Sequence, residues 1–282
     1  MSSAFARTGK KIVAIGRNYA AHAKELGNAV PKEPFFFLKP TSSYVQNGGK
    51  VEIPQGIIAH HEGRSSVVPR SWKTWCGLET RYTPNSDVHP LSQPVARHVL
   101  LHNLRHTLTN PITTYALQVE LGVVIGKTGR DISPADAKSH ISGYTLAVDM
   151  TARNLQDRVK KAGLPWSAAK GFDTFTPIGS FIPSSAIAEP HALQLKLDIN
   201  GVTKQDGSTA DMIFDIPSLI AHVSGIMTLE EGDVLLTGTP PGVGPVVPGD
   251  RVECSLKDKE GKQLASLVFD AVQRQGGYKF TA

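Results

Sequence analysis

Along most of the chain, apolar positions fall into short runs that alternate with polar ones, which is the period of a β-strand. Ile12–Ile15 is an apolar strand, and Pro34–Leu38 is a second one closed by Lys39-Pro40. Glu120–Ile125 alternates and ends in Gly126, and Tyr144–Met150 is apolar and rich in β-formers. Leu193–Ile199 sets Leu, Leu, Leu and Ile against Gln, Lys and Asp. Asn200-Gly201 then supplies a type I′ turn into Val202–Gln205, because both central residues of that turn need positive φ. Val234–Thr237, Arg251–Leu256 and Ala265–Val272 are later strands, with turns at Gly232-Asp233 and Gly249-Asp250. The helical period is rarer. Asn18–Leu26 is a helix stopped by Gly27-Asn28. Thr151 caps a second helix that runs to Lys161, and Ile216–Ile226 carries Pro217 in its first turn. The pattern predicts an α+β fold, strand-rich with short helices, and no regular βαβ array.

Residues 63–118 break this rhythm. They hold five prolines, two of the three tryptophans and four of the ten histidines, and only Val95–Leu108 has a helical period. A loop beyond about 15 residues is unusual inside a compact domain. The expectation is a single domain over 1–282, interrupted by a poorly ordered insertion at 63–118. Charge points the same way. The segment carries six basic residues against Glu79 and Asp87, which is +4 of the chain's net +5. A basic pI confined to one doubtful segment argues against a nucleic-acid partner. No apolar run approaches the ~18 residues that span a bilayer. The start of the chain, with Arg7, Lys10 and Lys11 and no acid, is too short for a transit peptide and lacks a secretory core. The mitochondrial matrix and the cytosol both remain open. Cys76 and Cys254 give neither a disulfide framework nor a zinc spacing.

The chemistry-bearing residues lie outside the odd segment, in an ordered series. It begins with Gly16-Arg17-Asn18-Tyr19-Ala20-Ala21-His22, then Glu25 and Phe37-Leu38-Lys39-Pro40. His60-His61-Glu62 follows, and after the gap Val119-Glu120-Leu121-Gly122. Asp149-Met150-Thr151-Ala152-Arg153 leads to Gln156-Asp157, Gly163-Leu164-Pro165-Trp166 and Lys170. The series closes with Leu229-Glu230-Glu231-Gly232-Asp233 and Thr237-Gly238-Thr239-Pro240-Pro241-Gly242. Taken together, over about 1–62 and 119–282, these motifs resemble the fumarylacetoacetate hydrolase family, in its branch acting on acylpyruvates and oxaloacetate. In that family the middle motif runs His-His-Glu-x-Glu-Leu-Gly without a break. Removing 63–118 here restores it as His60-His61-Glu62-Val119-Glu120-Leu121-Gly122. The insertion therefore splits a pair of carboxylates that would otherwise stand two apart on one strand and share a face. A retained intron explains this. Gly63 can be encoded GGT, giving a GT donor after its first base, and Gln118-Val119 as CAA-GTN, giving an AG acceptor. A translated surface loop is the alternative, although natural insertions favour exposed turns over the interior of a ligand-bearing strand.

The resemblance implies a mixed β-roll, a homodimer, and Mg²⁺ (with Mn²⁺ as the alternative) held by Glu62, Glu120 and Asp149. On spacing alone a Glu-x-Glu is an ordinary solvated strand face. Asp149 adds weight because it ends an apolar strand, where a lone charge is costly unless paired or metal-bound. His22 and Glu25, at i and i+3 on one helix face, are implied to activate water or move a proton, with Lys170 as a further catalytic group. Arg17, Lys39, Arg153 and Gln156 are implied to hold carboxylate or carbonyl oxygens of a small α-keto acid. Gly238 and Thr239 form a turn whose N–H groups and hydroxyl suit an anion. The metal would act as a Lewis acid on the keto oxygen as an enolate forms. That scheme serves acylpyruvate hydrolysis, oxaloacetate decarboxylation and keto–enol tautomerisation alike, and the sequence does not rank them. The competing expectation is a catalytically impaired chain, because the insertion splits the Glu-x-Glu. His60 and His61 adjoin Glu62 but face opposite sides of a strand. His98, His102 and His106 would stripe a helix, in a context that argues against zinc.

Overall fold

A computed structural model describes residues 4–57 and 117–281, and all of these belong to one compact unit. Expectations for 63–116, and for His60, His61 and Glu62, lie outside the described residues. Two strand-rich layers organise the rest. The first is built on β1 (Ile12–Gly16), which pairs antiparallel with β2 (Phe35–Lys39) and parallel with β11 (Val234–Leu236). The sheet continues through β5 (Val119–Ile125), β6 (Ile141–Val148), β7 (Thr176–Ile178) and β3 (Tyr44–Gln46), with β8 (Ile182–Pro183) paired on β6. The second sheet runs β10 (Val202–Ser208), β9 (Gln194–Ile199), β12 (Arg251–Lys257), β13 (Gln263–Gln273) and β4 (Lys50–Ile53). Parallel and antiparallel pairs occur in both, as a mixed β-roll requires.

One apolar cluster contains Val13, Leu121, Val123 and Leu146 from the first sheet and Leu195, Leu197, Val252 and Leu267 from the second. Their shared burial joins the layers, since apolar area removed from water stabilises at about 25 cal/mol per Å². Strand β5 is buried at every position. That makes Glu120, its one charged residue, expensive unless something answers it.

Five short helices complete the described residues: α1 (Phe5–Thr8), α2 (Ala20–Glu25), α3 (Arg153–Lys161), α4 (Ser167–Lys170) and α5 (Ile216–Ser224). The expected Asn200-Gly201 turn is present, with φ of 51° and 77°, and joins β9 to β10. Asp215 caps α5 by accepting from the Ser218 N–H, with Pro217 in the first turn. The expected cap on α3 is corrected. Ala152 occupies the cap position without a side-chain bond, while the Thr151 hydroxyl is buried without a partner among the described residues. Strands β3, β4, β7 and β8 did not follow from the pattern. Pro177 and Pro183 sit inside two of them, and proline demotes a run that would otherwise read as strand.

Leu117 and Gln118, the last two residues of the odd segment, are integrated in this fold. Leu117 is fully buried and bridges to Gly244, and Gln118 leads directly into β5.

Candidate active site

The site lies where β1, β2, β5, α2 and α3 converge on a cleft. Its lining includes Arg17, His22, Glu120, Arg153, Gln156 and Thr239, all expected from the sequence. It also includes Phe37 and Trp166, which stood in the motifs without a role, and Phe35 and Gln118, which the motifs did not include.

Glu120 lines the cleft, and Asp149 is buried close to it. Residues two apart in extended chain share a face, so Gln118, just before β5, and Glu120, on it, both look into the cleft. Asp149 follows β6, and its backbone N–H donates to the Gln118 carbonyl at 2.9 Å, which seats it beside the start of β5. Asp149 is 1% exposed and heavily answered. Lys39 Nζ donates to its Oδ1 at 2.6 Å and Lys170 Nζ to its Oδ2 at 2.5 Å. Burial pushes the Asp149 carboxyl up, but the Lys170 and Lys39 ammonium groups outweigh it and hold the group below the usual carboxylate range. Glu120 has the opposite balance. Burial, then the nearby Asp149 charge, pushes it up to about 8 against a hydrogen bond from the Gly238 N–H. Lys170 is pulled down to about 8, first by burial and then by the Lys39 and Arg153 charges, with Asp149 opposing.

The wall carries cations and a proton-moving pair. Arg17 follows β1 with φ of 58°, a region L-residues avoid, so its placement over the cleft is held against backbone preference. Its guanidinium lies 5.7 Å from the centre of the Phe35 ring. Arg153 and Gln156 stand at i, i+3 on α3, both buried, with Arg153 Nη1 donating to Gln156 Oε1 at 2.5 Å. On α2, His22 Nδ1 is 3.3 Å from Glu25 Oε2, and Glu25 is fixed in turn by the Gly242 N–H at 3.2 Å. Phe35 and Phe37, two apart on β2, both pack against Trp166, and Phe37 lies beneath the Lys170 ammonium at 4.4 Å. The run Phe35-Phe36-Phe37 on a predicted strand, where residues two apart share a face, was the signal that would have found this aromatic wall.

Three of the expected substrate-binding residues have other tasks. Lys39 is 1% exposed, and its Nζ is surrounded by Asp149, the Met150 carbonyl at 3.2 Å and the Phe175 carbonyl at 3.0 Å. It answers the aspartate from below rather than facing the cleft. Gly238 gives its N–H to Glu120 Oε2 at 2.8 Å. Thr239 lines the cleft but donates its hydroxyl to the Val119 carbonyl at 2.8 Å. Gln205 accepts from the Val119 N–H and donates to Thr239 Oγ1 and the Pro240 carbonyl, locking β5 to this turn. Gly238 has φ of 92°, and a Cβ there would lie 2.8 Å from that of Asn18, so the close approach requires glycine.

For a divalent cation, the described residues supply two hard carboxylates, Glu120 and Asp149. No group of three or more His, Cys, Asp and Glu suited to a metal occurs among the described residues. The third expected donor, Glu62, lies outside them, and the strand position two before Glu120 holds Gln118. The described donor set is therefore one carboxylate short of the expected centre.

Comparison with known proteins agrees with this architecture. The family description "Fumarylacetoacetate (FAA) hydrolase C-terminal" matches residues 11–68 and 93–269, leaving 69–92 unmatched within the odd segment. The chain is 43% identical over 272 residues to the mitochondrial oxaloacetate decarboxylase of Dictyostelium discoideum, covering 96% of this chain and 98% of that one. It is 44% identical over 269 residues to the mitochondrial oxaloacetate tautomerase FAHD1 of Arabidopsis thaliana, covering 95% and 93%. Among solved structures, yeast ynq8, a fumarylacetoacetate hydrolase family protein, superposes with a TM-score of 0.72 at 31% identity over 100% of both chains. The fumarylpyruvate hydrolase of Pseudomonas aeruginosa, in complex with Mn²⁺ and pyruvate, gives 0.67 at 27% identity, covering 94% and 91%.

Proposed function

The chain belongs to the fumarylacetoacetate hydrolase family, and from that premise we propose that its site is built for small α-keto acids with a second carbonyl, such as oxaloacetate and acylpyruvates. The observation that carries this is the cleft with its surroundings: the buried Glu120 on its lining with the buried Asp149 close by, guanidinium groups on the wall, and an imidazole–carboxylate pair beside them. Arg17 and Arg153 suit the substrate carboxylate, because a guanidinium offers paired N–H donors to it. Gln156, bonded to Arg153, fixes the orientation of that guanidinium. His22 would take or return the proton that moves in the reaction, with Glu25 holding the ring and Gly242 holding Glu25. Lys170, drawn near neutrality, is poised to exchange a proton close to Asp149. Phe35, Phe37 and Trp166 keep water from that face of the cleft.

The restored Glu62-Val119-Glu120, together with Asp149, would hold Mg²⁺, or Mn²⁺ as in the Pseudomonas relative. Bound there, the cation would supply Lewis acidity toward a keto oxygen. Keto–enol tautomerisation or decarboxylation of oxaloacetate leads among the reactions, given the names of the two relatives, with acylpyruvate hydrolysis as the companion activity. Those relatives are named as mitochondrial, which favours the mitochondrion over the cytosol.

A second reading has its own observation. Gln118 stands where the first carboxylate is expected, so the chain with all 282 residues is catalytically impaired. Oxaloacetate and acetylpyruvate assays with Mg²⁺, run on the chain with and without 63–118, test both. We expect turnover only without the segment, abolished by Asp149→Ala. An inert insertion-free chain, or one that keeps full turnover as the alanine variant, would sink the assignment.

A further inference from the structure

Gln118 bears on the role of the odd segment. Its side chain is buried at 8% exposure, faces the cleft with Glu120, and stands two residues before it. With its amide set to satisfy both neighbours, the Gln118 NH₂ donates to Asp149 Oδ2 at 3.1 Å. Its carbonyl oxygen accepts from Arg153 Nη2, also at 3.1 Å. Reversing the amide would set oxygen against carboxylate and NH₂ against guanidinium, so the donor end is held toward Asp149.

That aspartate already takes Lys39 on one oxygen and Lys170 on the other. Both ammonium groups thus sit on Asp149, Glu120 is held by the Gly238 N–H, and the third neighbour is a neutral amide. Among the described residues, the carboxylates of this cluster number two, and one of them already has an ammonium group on each oxygen. Hard divalent cations are held by carboxylate count and site rigidity, and here the amide offers its hydrogens where a cation needs an oxygen.

We propose that in the 282-residue chain Gln118 takes the strand position that the insertion-free sequence gives to Glu62. The segment then replaces a carboxylate of the cation-binding set by a carboxamide, and so disables divalent-cation binding. The inference rests on the functional reading above for the identity of that set. It adds that the segment acts through one residue at its end: restoring a carboxylate at 118 restores the centre with the segment still in place.

Mn²⁺ binding, followed by loss of the free-ion paramagnetic resonance signal, tests this without substrate. The full chain should bind Mn²⁺ weakly, and Gln118→Glu should tighten it by about ten- to a hundredfold, at least the effect of perturbing a partner of a metal ligand. Adding Asp149→Asn to that variant should remove the gain. Equal Mn²⁺ affinity in the full chain and in Gln118→Glu would overturn the proposal. Lost binding on Glu62→Gln in the otherwise unchanged chain would also overturn it, since Glu62 would then reach the centre despite the insertion. This second arm stands even if Gln118→Glu does not fold. A Gln118→Glu chain that binds Mn²⁺ tightly yet leaves oxaloacetate and acetylpyruvate untouched would refute the functional reading and leave this one intact.

Discussion

Glu120 and Asp149 are both buried acids, yet their surroundings treat them in opposite ways. Asp149 is met by two ammonium groups, and Glu120 by one backbone N–H and a like-charged neighbour. The consequence is a stability slope with a definite sign. A carboxyl raised from 4.5 to about 8 on folding keeps its proton in the folded state after the unfolded state has lost it. Over that window the folded chain binds more protons, so stability falls as pH rises from about 4.5 to about 8. Asp149 works in the other direction, adding stability above its unfolded value that is lost as pH falls toward its lower folded one. In chelator-treated protein, urea midpoints should therefore decline toward pH 8. Glu120→Gln should flatten the decline by up to about 1.4 kcal/mol per pH unit, the limit for one proton. An unchanged slope in the variant would place the titration elsewhere. Asp149 was legible in the sequence, because an acid at the end of an apolar run is conspicuous, whereas Glu120, Lys39 and Lys170 were legible only through the ordered set of motifs. Their pairing was not: Lys39 and Asp149 are 110 positions apart.

Elements with a strong local signal appear close to where the pattern puts them. Ile12–Ile15, Glu120–Ile125 and the β9–β10 hairpin are such cases, and the last offers a clean test. Gly201 has φ of 77°, and a Cβ there meets nothing within 4 Å. Gly201→Ala should cost about 1–2 kcal/mol by backbone conformation alone, read from chemical denaturation, with activity of the insertion-free chain retained. A neutral effect would mean that the turn relaxes. Short elements were less legible. Strand β3 has three residues and β8 two, too few for a period to show, and both are defined by their pairing. Gln118 was hidden for another reason. Read across the gap, the strand begins with Glu62; read along the chain as it stands, the same alternation puts Gln118 there.

For the whole molecule, we propose that the segment 63–118 is a retained intron. The dominant transcript should then lack its 56 codons, and sequencing the message across Glu62 and Val119 checks this. A dominant message carrying all of them would refute it. We also propose a homodimer, for which light scattering of the insertion-free chain should give twice the chain mass; a monomer at micromolar concentration would exclude it. No helix among the described residues is long and apolar enough to cross a membrane.

By itself the sequence determined the strand-rich α+β character, the hairpin at Asn200-Gly201, the family, and the two buried carboxylates. Each of these rests on neighbours within a few residues or on an ordered set of motifs. Only the tertiary structure decided that Lys39 answers Asp149, that Gly238 and Thr239 secure Glu120 and its strand, and that Phe35, Phe37 and Trp166 wall the cleft. Those contacts join residues far apart in the chain, whose proximity depends on sheet order and register. It also decided that the Gln118 carboxamide faces Asp149 and Arg153, because the backbone pairing of Gln118 with Asp149 sets those side chains together.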